Sequence, residues 1–256
     1  MRRIPVVAVL AVAAAVSSAE AQRVDTVFAE VGSPAVDGRV FKPHAARVRI
    51  YRGDTLVAQW TNELVLADSA GRRIMRWVTR GEPVPAVPNR PLSVLRQTYD
   101  ATTLAPLGFS SVVNNGAFTH IKVDGKRVTG TRRTATDTTV RAVDITLERP
   151  GYFSGASDIV PVAAGLRSGS VIVAPLWSPL SAAPDYRVFS VLRDTTLTIE
   201  GSRVVARKVE ERKRSDGSLA AYWYLLTESP YMVYGEVPLS DGRMQRMTEV
   251  AIPMTR

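Results

Sequence analysis

The sequence predicts a mainly β protein, an antiparallel meander that forms a curved sheet or half-barrel with one short helix. Three observations support this. Short runs rich in Val, Thr, Ile and Tyr recur along the chain. Turn dipeptides separate them, among them Asp37-Gly38, Gly53-Asp54, Asp124-Gly125, Glu200-Gly201, Asp216-Gly217 and Asp241-Gly242, whose residues tolerate the positive φ of tight hairpins. Within the runs, apolar and polar residues alternate with period two, giving each strand one buried and one wetter face.

The first element is a targeting segment. Arg2 and Arg3 precede an apolar run from Ile4 to Val16, and Ala19-Glu20-Ala21 has the small-x-small pattern of a cleavage site, so residues 1–21 read as a secretory signal peptide. The run is well short of the roughly 20 residues that span a bilayer, and no membrane span is expected. The expected location is periplasmic or secreted. With no cysteine among its 256 residues, the chain lacks an acceptor for an acyl anchor. Its stability then rests on burial and hydrogen bonding, which a chain of this size can supply.

Residues 22–80 form an N-terminal β segment. Ala46–Tyr51 and Leu56–Leu66 make its first hairpin, with Val48 and Ile50 alternating with Arg47, Arg49 and Tyr51. In the second arm Leu56, Ala58, Trp60, Leu64 and Leu66 share a face. Ile74–Thr79 adds a strand. Pro83, Pro85, Pro88 and Pro91 then deny the backbone four donors, marking 81–92 as a Pro-rich connection.

Residues 93–256 read as an antiparallel meander, and whether they share a sheet with 22–80 is open from the sequence. Strands are expected at 93–102, 108–113, 118–123, 127–133 and 138–147. Ser157–Gly165 is the one helix, with Ser157 or Asp158 as N-cap, Pro161 in the first turn and Gly165 as the stop. Six further strands follow at 169–174, 187–199, 203–214, 218–227, 231–237 and 243–252. The strand carrying Tyr222, Trp223 and Tyr224 is apolar on both faces and is expected to be central and covered twice. Lys208, Glu210, Glu211, Arg212, Lys213 and Arg214 suit an exposed arm or a protected sheet edge.

Particular residues also suggest a family. Tyr99-Asp100 followed by Thr103-Leu104-Ala105-Pro106-Leu107, the Ser157–Leu166 segment before a strand, and Tyr222-Trp223-Tyr224 through Pro230 to Asp241-Gly242 resemble an exported bacterial β-rich domain family of unknown function. That family is similar in plan to the periplasmic lipoprotein-carrier half-barrels. The resemblance covers about residues 93–252 and implies an extracytoplasmic curved sheet whose concave face holds an apolar ligand.

Composition removes several chemistries. Thiol catalysis and thiolate metal sites need cysteine. His44 and His120 lack H-E-x-x-H spacing, so no metal site is expected. No G-x-S-x-G elbow, P-loop or G-x-G-x-x-G is present, and no cofactor is expected. Ser154-Gly155-Ala156-Ser157-Asp158 has nucleophile-type residues, but they read as turn and cap formers. Glu63, Asp68, Asp100, Asp144, Glu228 and Glu236 read as solvated or turn-associated acids. Glutamates interleaved with the 208–214 cations argue against nucleic acid.

The best remaining signal is aromatic. Trp60, Trp77, Trp177, Tyr222, Trp223 and Tyr224 are the expected ligand-binding residues, because indole and phenol rings give large contact areas with a polar handle. The leading expectation is an exported, non-enzymatic binding module for an apolar or amphiphilic envelope ligand such as a lipid. One alternative is an envelope hydrolase acting on glycan or ester bonds, with acids or Ser157 as candidates. Another, given the formal charge of +9, is a basic interaction protein docking on an anionic envelope component.

Overall fold

Period-two alternation and positive-φ turns produce a long run of hairpins. The structure, a computed structural model, describes residues 25–69 and 71–254; the signal peptide expected at 1–21 lies outside them. The strands are β1 (Thr26–Phe28), β2 (His44–Arg52), β3 (Thr55–Ser69), β4 (Arg72–Glu82), β5 (Ser93–Asp100), β6 (Pro106–Val113), β7 (Phe118–Asp124), β8 (Arg127–Arg133), β9 (Arg141–Thr146) and β10 (Tyr152–Phe153). After the helix α1 (Ile159–Ala163) come β11 (Val171–Trp177), β12 (Asp185–Ile199), β13 (Ser202–Lys213), β14 (Leu219–Leu225), β15 (Met232–Pro238) and β16 (Met244–Ile252).

All of these strands lie in one open, curved sheet, a half-barrel ordered β1-β11-β12-β13-β14-β15-β16-β2-β3-β4-β5-β6-β7-β8-β9, with β10 beside β11. Two pairings set the path. β4 runs antiparallel to β5, from Ile74 opposite Asp100 to Arg80 opposite Val94, so the Pro-rich connection bridges adjacent strands. β16 pairs with β2, from Gln245 opposite Arg52 to Ile252 opposite Ala45, which joins the last strand to the first long one. Consecutive strands from β2 to β9 and from β11 to β16 pair antiparallel, as tight turns require. At the β12–β13 turn Glu200 and Gly201 both adopt positive φ, the geometry that matches the twist of a two-residue hairpin.

After β9 the chain leaves the sheet edge, crosses the concave side and rejoins at β11. The crossing segment turns its apolar side chains inward: Leu147, Tyr152, Phe153, Ala156 and all five residues of α1 are buried. They pack in one cluster with Leu64, Met75 and Tyr99 from one half of the sheet and Ile172, Phe189, Val209 and Leu225 from the other. The core is therefore the content of the hollow. α1 is shorter than the helix expected at 157–165. Gly165 stops it with φ +83, and Asp158 stands at its start without closing a capping hydrogen bond.

Three sequence expectations are corrected. The charged end of β13 is not an edge: it is paired with β12 on one side and, from Arg207 to Arg212, with β14 on the other. Period two turns Glu211 inward while Glu210 and Arg212 pair at the surface. Asp37-Gly38 is not a hairpin turn. Asp37 caps a 3-10 turn by accepting from Arg39 N at 3.0 Å, and glycine is needed because a Cβ would stand 2.5 Å from the Ala101 carbonyl oxygen. Among the described residues no second layer covers the outer face of β14. Tyr222 and Tyr224 are sheltered there by Ala206, Val233, Val204 and Tyr234 on neighbouring strands.

Candidate functional site

The crossing segment fills only part of the hollow. Between its Gly155–Asp158 turn and the inward rows of β2–β5 and β14–β16, a cavity of about 330 Å³ remains. The ladder register shows which side chains reach it. Trp60 on β3 stands opposite Val48 on β2 and Gly81 on β4, Thr79 opposite Asn62 and Leu95, and Trp77 opposite Gln97. Across the cavity, Trp223 on β14 stands opposite Gly235, which stands opposite Met247 on β16. A Cβ at Gly235 would come within 3.0 Å of the Trp223 ring, so this glycine lets the indole lie over the sheet. The Pro-rich connection supplies Arg90, Pro91 and Leu92 to the wall.

The six aromatic residues expected to bind ligand divide evenly. Trp60, Trp77 and Trp223 line the cavity. Trp177 is fully buried in the core, with its ring centroid 5.5 Å from that of Phe153 and its indole donating to Ser181 O at 2.7 Å. Tyr222 and Tyr224 flank Trp223 in sequence and so project from the opposite, convex face. There the Lys208 ammonium sits 4.1 Å from the centre of the Tyr222 ring.

Polar groups fix the wall. The Trp223 indole donates to Glu211 Oε2 at 2.7 Å. Glu211 Oε1 accepts from Arg187 Nη1 at 3.3 Å and from Ser157 Oγ at 3.4 Å, and Arg187 also meets Asp185 at 3.0 Å. Burial pushes the Glu211 carboxyl above its ordinary pKa, although the indole and guanidinium oppose the shift. On the cavity wall Thr79 donates to Asn62 Oδ1 at 2.8 Å, and at its edge Gln59 donates to Glu82.

Two further acids stand out. Asp158 reaches the cavity from the crossing segment. Burial raises its pKa to about 6; approach of backbone N–H groups offsets part of this, and Glu211 adds to it. Glu249 lies on the inward face of β16, opposite cavity-lining Val48. It is 2% exposed, and among the described residues neither carboxyl oxygen closes a hydrogen bond of ordinary geometry. Burial, then the nearby Asp158, pushes it well above the carboxylate range, with Asn62 opposing weakly. Sequence reasoning missed Glu211 and Glu249 and took Asp158 for a cap. Their signal was parity, because Glu211 shares its face with Val209 and Glu249 with Met247.

The serine and histidine candidates do not meet. Ser157 Oγ donates to Ser154 O and Glu211, whereas His120 Nδ1 lies 2.8 Å from Ser110 Oγ on a neighbouring strand. His44 is buried edge-on to Trp77 and Tyr231, and burial lowers its pKa. Among the described residues no three His, Asp or Glu side chains come together as a metal site, and no helix is long and apolar enough to cross a membrane.

No family model matches the chain, and a search of curated proteins finds no match. Among solved structures, the chain is similar to the crystal structure of a β-barrel-like protein of domain of unknown function DUF1849 from Brucella abortus. The TM-score is 0.49 and the identity 10%, over 83% of this chain and 98% of that one.

Proposed function

We propose that the protein is an exported binding module that holds an apolar or amphiphilic envelope ligand in the hollow of its half-barrel, without acting chemically on it. The observation that supports this is the cavity of about 330 Å³, whose wall carries Trp60, Trp77, Trp223, Met232, Met247 and Leu95. Its size falls within the range of small-molecule sites, and apolar walls with a few fixed polar groups are their usual construction. The indole of Trp223 is held by Glu211, so part of that wall is in place before any ligand arrives.

The test is native mass spectrometry and organic extraction of the purified protein, with tryptophan fluorescence during titration with an acyl probe. A co-purifying lipid, or saturable quenching lost in Trp60→Ala, is the expected result. No extracted lipid together with no response to the probe overturns the reading.

A further inference from the structure

The cavity wall carries polar groups of both signs beside its indoles. Asp158 and Glu82 are acids, Arg90 is a cation, and Asn62 and Gln97 are neutral amides. Most of them already have partners. Arg90 donates to the Val57 carbonyl at 3.0 Å, Glu82 accepts from Gln59, and Asn62 accepts from Thr79 at 2.8 Å. Gln97 differs. Its Oε1 accepts from the Tyr99 hydroxyl at 2.9 Å, which fixes the amide, and among the described residues its Nε2 hydrogens are taken by no acceptor. A Cβ at Gly155 would stand 2.9 Å from that Nε2, so the glycine keeps the amide uncovered. Asp158, at the other end of the same turn, closes no capping hydrogen bond and lines the cavity.

The turn and the nearest indole are held together. Glu211 accepts from Ser157 Oγ at 3.4 Å through one oxygen and from Trp223 Nε1 at 2.7 Å through the other. One side of the Trp223 ring rests on Gly235, where a Cβ would come within 3.0 Å. With its N–H edge turned to Glu211, the ring offers the cavity its other face.

Resting on the reading of the cavity as the seat of an apolar or amphiphilic ligand, we propose that the ligand is an amphiphile whose polar end is an uncharged hydroxylated ring, as in a glycosyl headgroup, stacked on Trp223 and hydrogen-bonded by Gln97 and Asp158. The C–H face of a sugar ring is apolar and slightly positive, which suits the negative face of an indole. Its hydroxyls each donate and accept, so they match an amide N–H as well as a carboxyl oxygen. No singly charged headgroup matches this wall. An ammonium would meet Arg90, and a carboxylate would meet Asp158 and Glu82. Burial raises the Asp158 pKa to about 6, so near that pH its carboxyl serves a hydroxyl as donor or as acceptor. The volume of about 330 Å³ is at the low end of small-molecule sites, which suits one ring and the start of a chain. That chain lies against Leu92, Leu95, Met232 and Met247.

The test uses the full protein with octyl β-glucoside, octanol, octylamine, octanoate and methyl β-glucoside, each below its micelle-forming concentration, followed by tryptophan fluorescence and calorimetry. Octyl glucoside is expected to bind at least about tenfold more tightly than octanol, the effect of one or two net hydrogen bonds. It should also exceed octylamine and octanoate, with methyl glucoside far weaker. Gly155→Ala places a methyl group against the Gln97 amide and removes no polar group, whereas Gln97→Met removes the amide itself. Each should weaken octyl glucoside about tenfold and leave octanol unchanged. Melting temperatures confirm that the variants are folded; if Gln97→Met is destabilised through the Tyr99 hydroxyl it leaves unpaired, Gly155→Ala decides.

Octanol, octylamine or octanoate binding as tightly as octyl glucoside overturns hydroxyl recognition and leaves the apolar site standing. So does a Gly155→Ala protein that binds octyl glucoside unchanged, or that loses octanol to the same degree. Methyl glucoside equal to octyl glucoside overturns the amphiphile. Failure of every octyl probe overturns both readings.

Discussion

The indole Nε1 of Trp223 donates to Glu211 Oε2 at 2.7 Å, and the same carboxylate receives Arg187. An acid in the interior of the sheet thus fixes one wall of the cavity. Removing it leaves a guanidinium and an indole without their partner. Glu211→Ala should cost about 3 kcal/mol in urea unfolding, and Glu211→Gln about 1 kcal/mol, since its amide oxygen still accepts from the indole. Hydrogen exchange of the Trp223 Nε1–H should accelerate in the alanine variant and stay slow in the glutamine variant.

Asp158 opposes stability at neutral pH. Its folded pKa of about 6 lies above the ordinary 3.8, so its proton is held more tightly in the folded state. Its favourable contribution is complete below about pH 4 and is lost as pH rises through 6. At about 1.4 kcal/mol per unit, the resulting penalty is about 3 kcal/mol by pH 8. Asp158→Asn should therefore raise stability over the native protein at pH 8 and change it little at pH 4, as read from melting temperature against pH.

Asp100 runs the other way. Burial raises its pKa, but Arg72 at 2.6 Å, the N–H groups of Thr102 and Thr103 and the Thr103 hydroxyl outweigh that and hold it at about 2. With the folded pKa depressed, its stabilisation is present above pH 4 and lost as pH falls towards 2. Asp100→Asn should cost about 2 kcal/mol at pH 7 and almost nothing at pH 2, measured by urea titration at each pH.

The tryptophans separate by role. Trp177 is fully buried with its N–H satisfied, so Trp177→Ala should cost about 3–5 kcal/mol. Trp60 faces the cavity and is only partly buried; Trp60→Ala should cost about 1–2 kcal/mol while reducing the fluorescence response to an apolar probe. Equal losses of stability would refute the division between wall and core.

Much of the sheet was legible because its signal is local. The alternation in Ala46–Tyr51 and Leu56–Leu66 marks β2 and β3 to within a few residues, and the turn at Glu200-Gly201 marks the β12–β13 hairpin. β1 and β10 were missed because strands of three and two residues, paired in parallel with β11, have neither alternation nor a hairpin turn. The site was half legible. Trp60, Trp77 and Trp223 could be nominated as large aromatics, but only the three-dimensional arrangement shows that β14 directs Trp223 inward and Tyr222 and Tyr224 outward. Glu211 was hidden for another reason. It sits in a charged run that reads as solvated, and its parity with Val209 counts as a signal only once the buried face of β13 is known from its pairing with β14.

The ladder between β2 and β16 sets an order of events for folding. A polypeptide delivered from its amino terminus presents β2 early, yet that strand's second neighbour arrives only with β16, after all the other strands of the sheet. Until then β2 has an open flank, and β15 in turn waits for the same late arrival. Such distant pairings slow folding and leave apolar surface uncovered meanwhile. The cavity is therefore complete only once β16 has joined β2, and deleting β16 should unseat both of its neighbours, β15 and β2, at once.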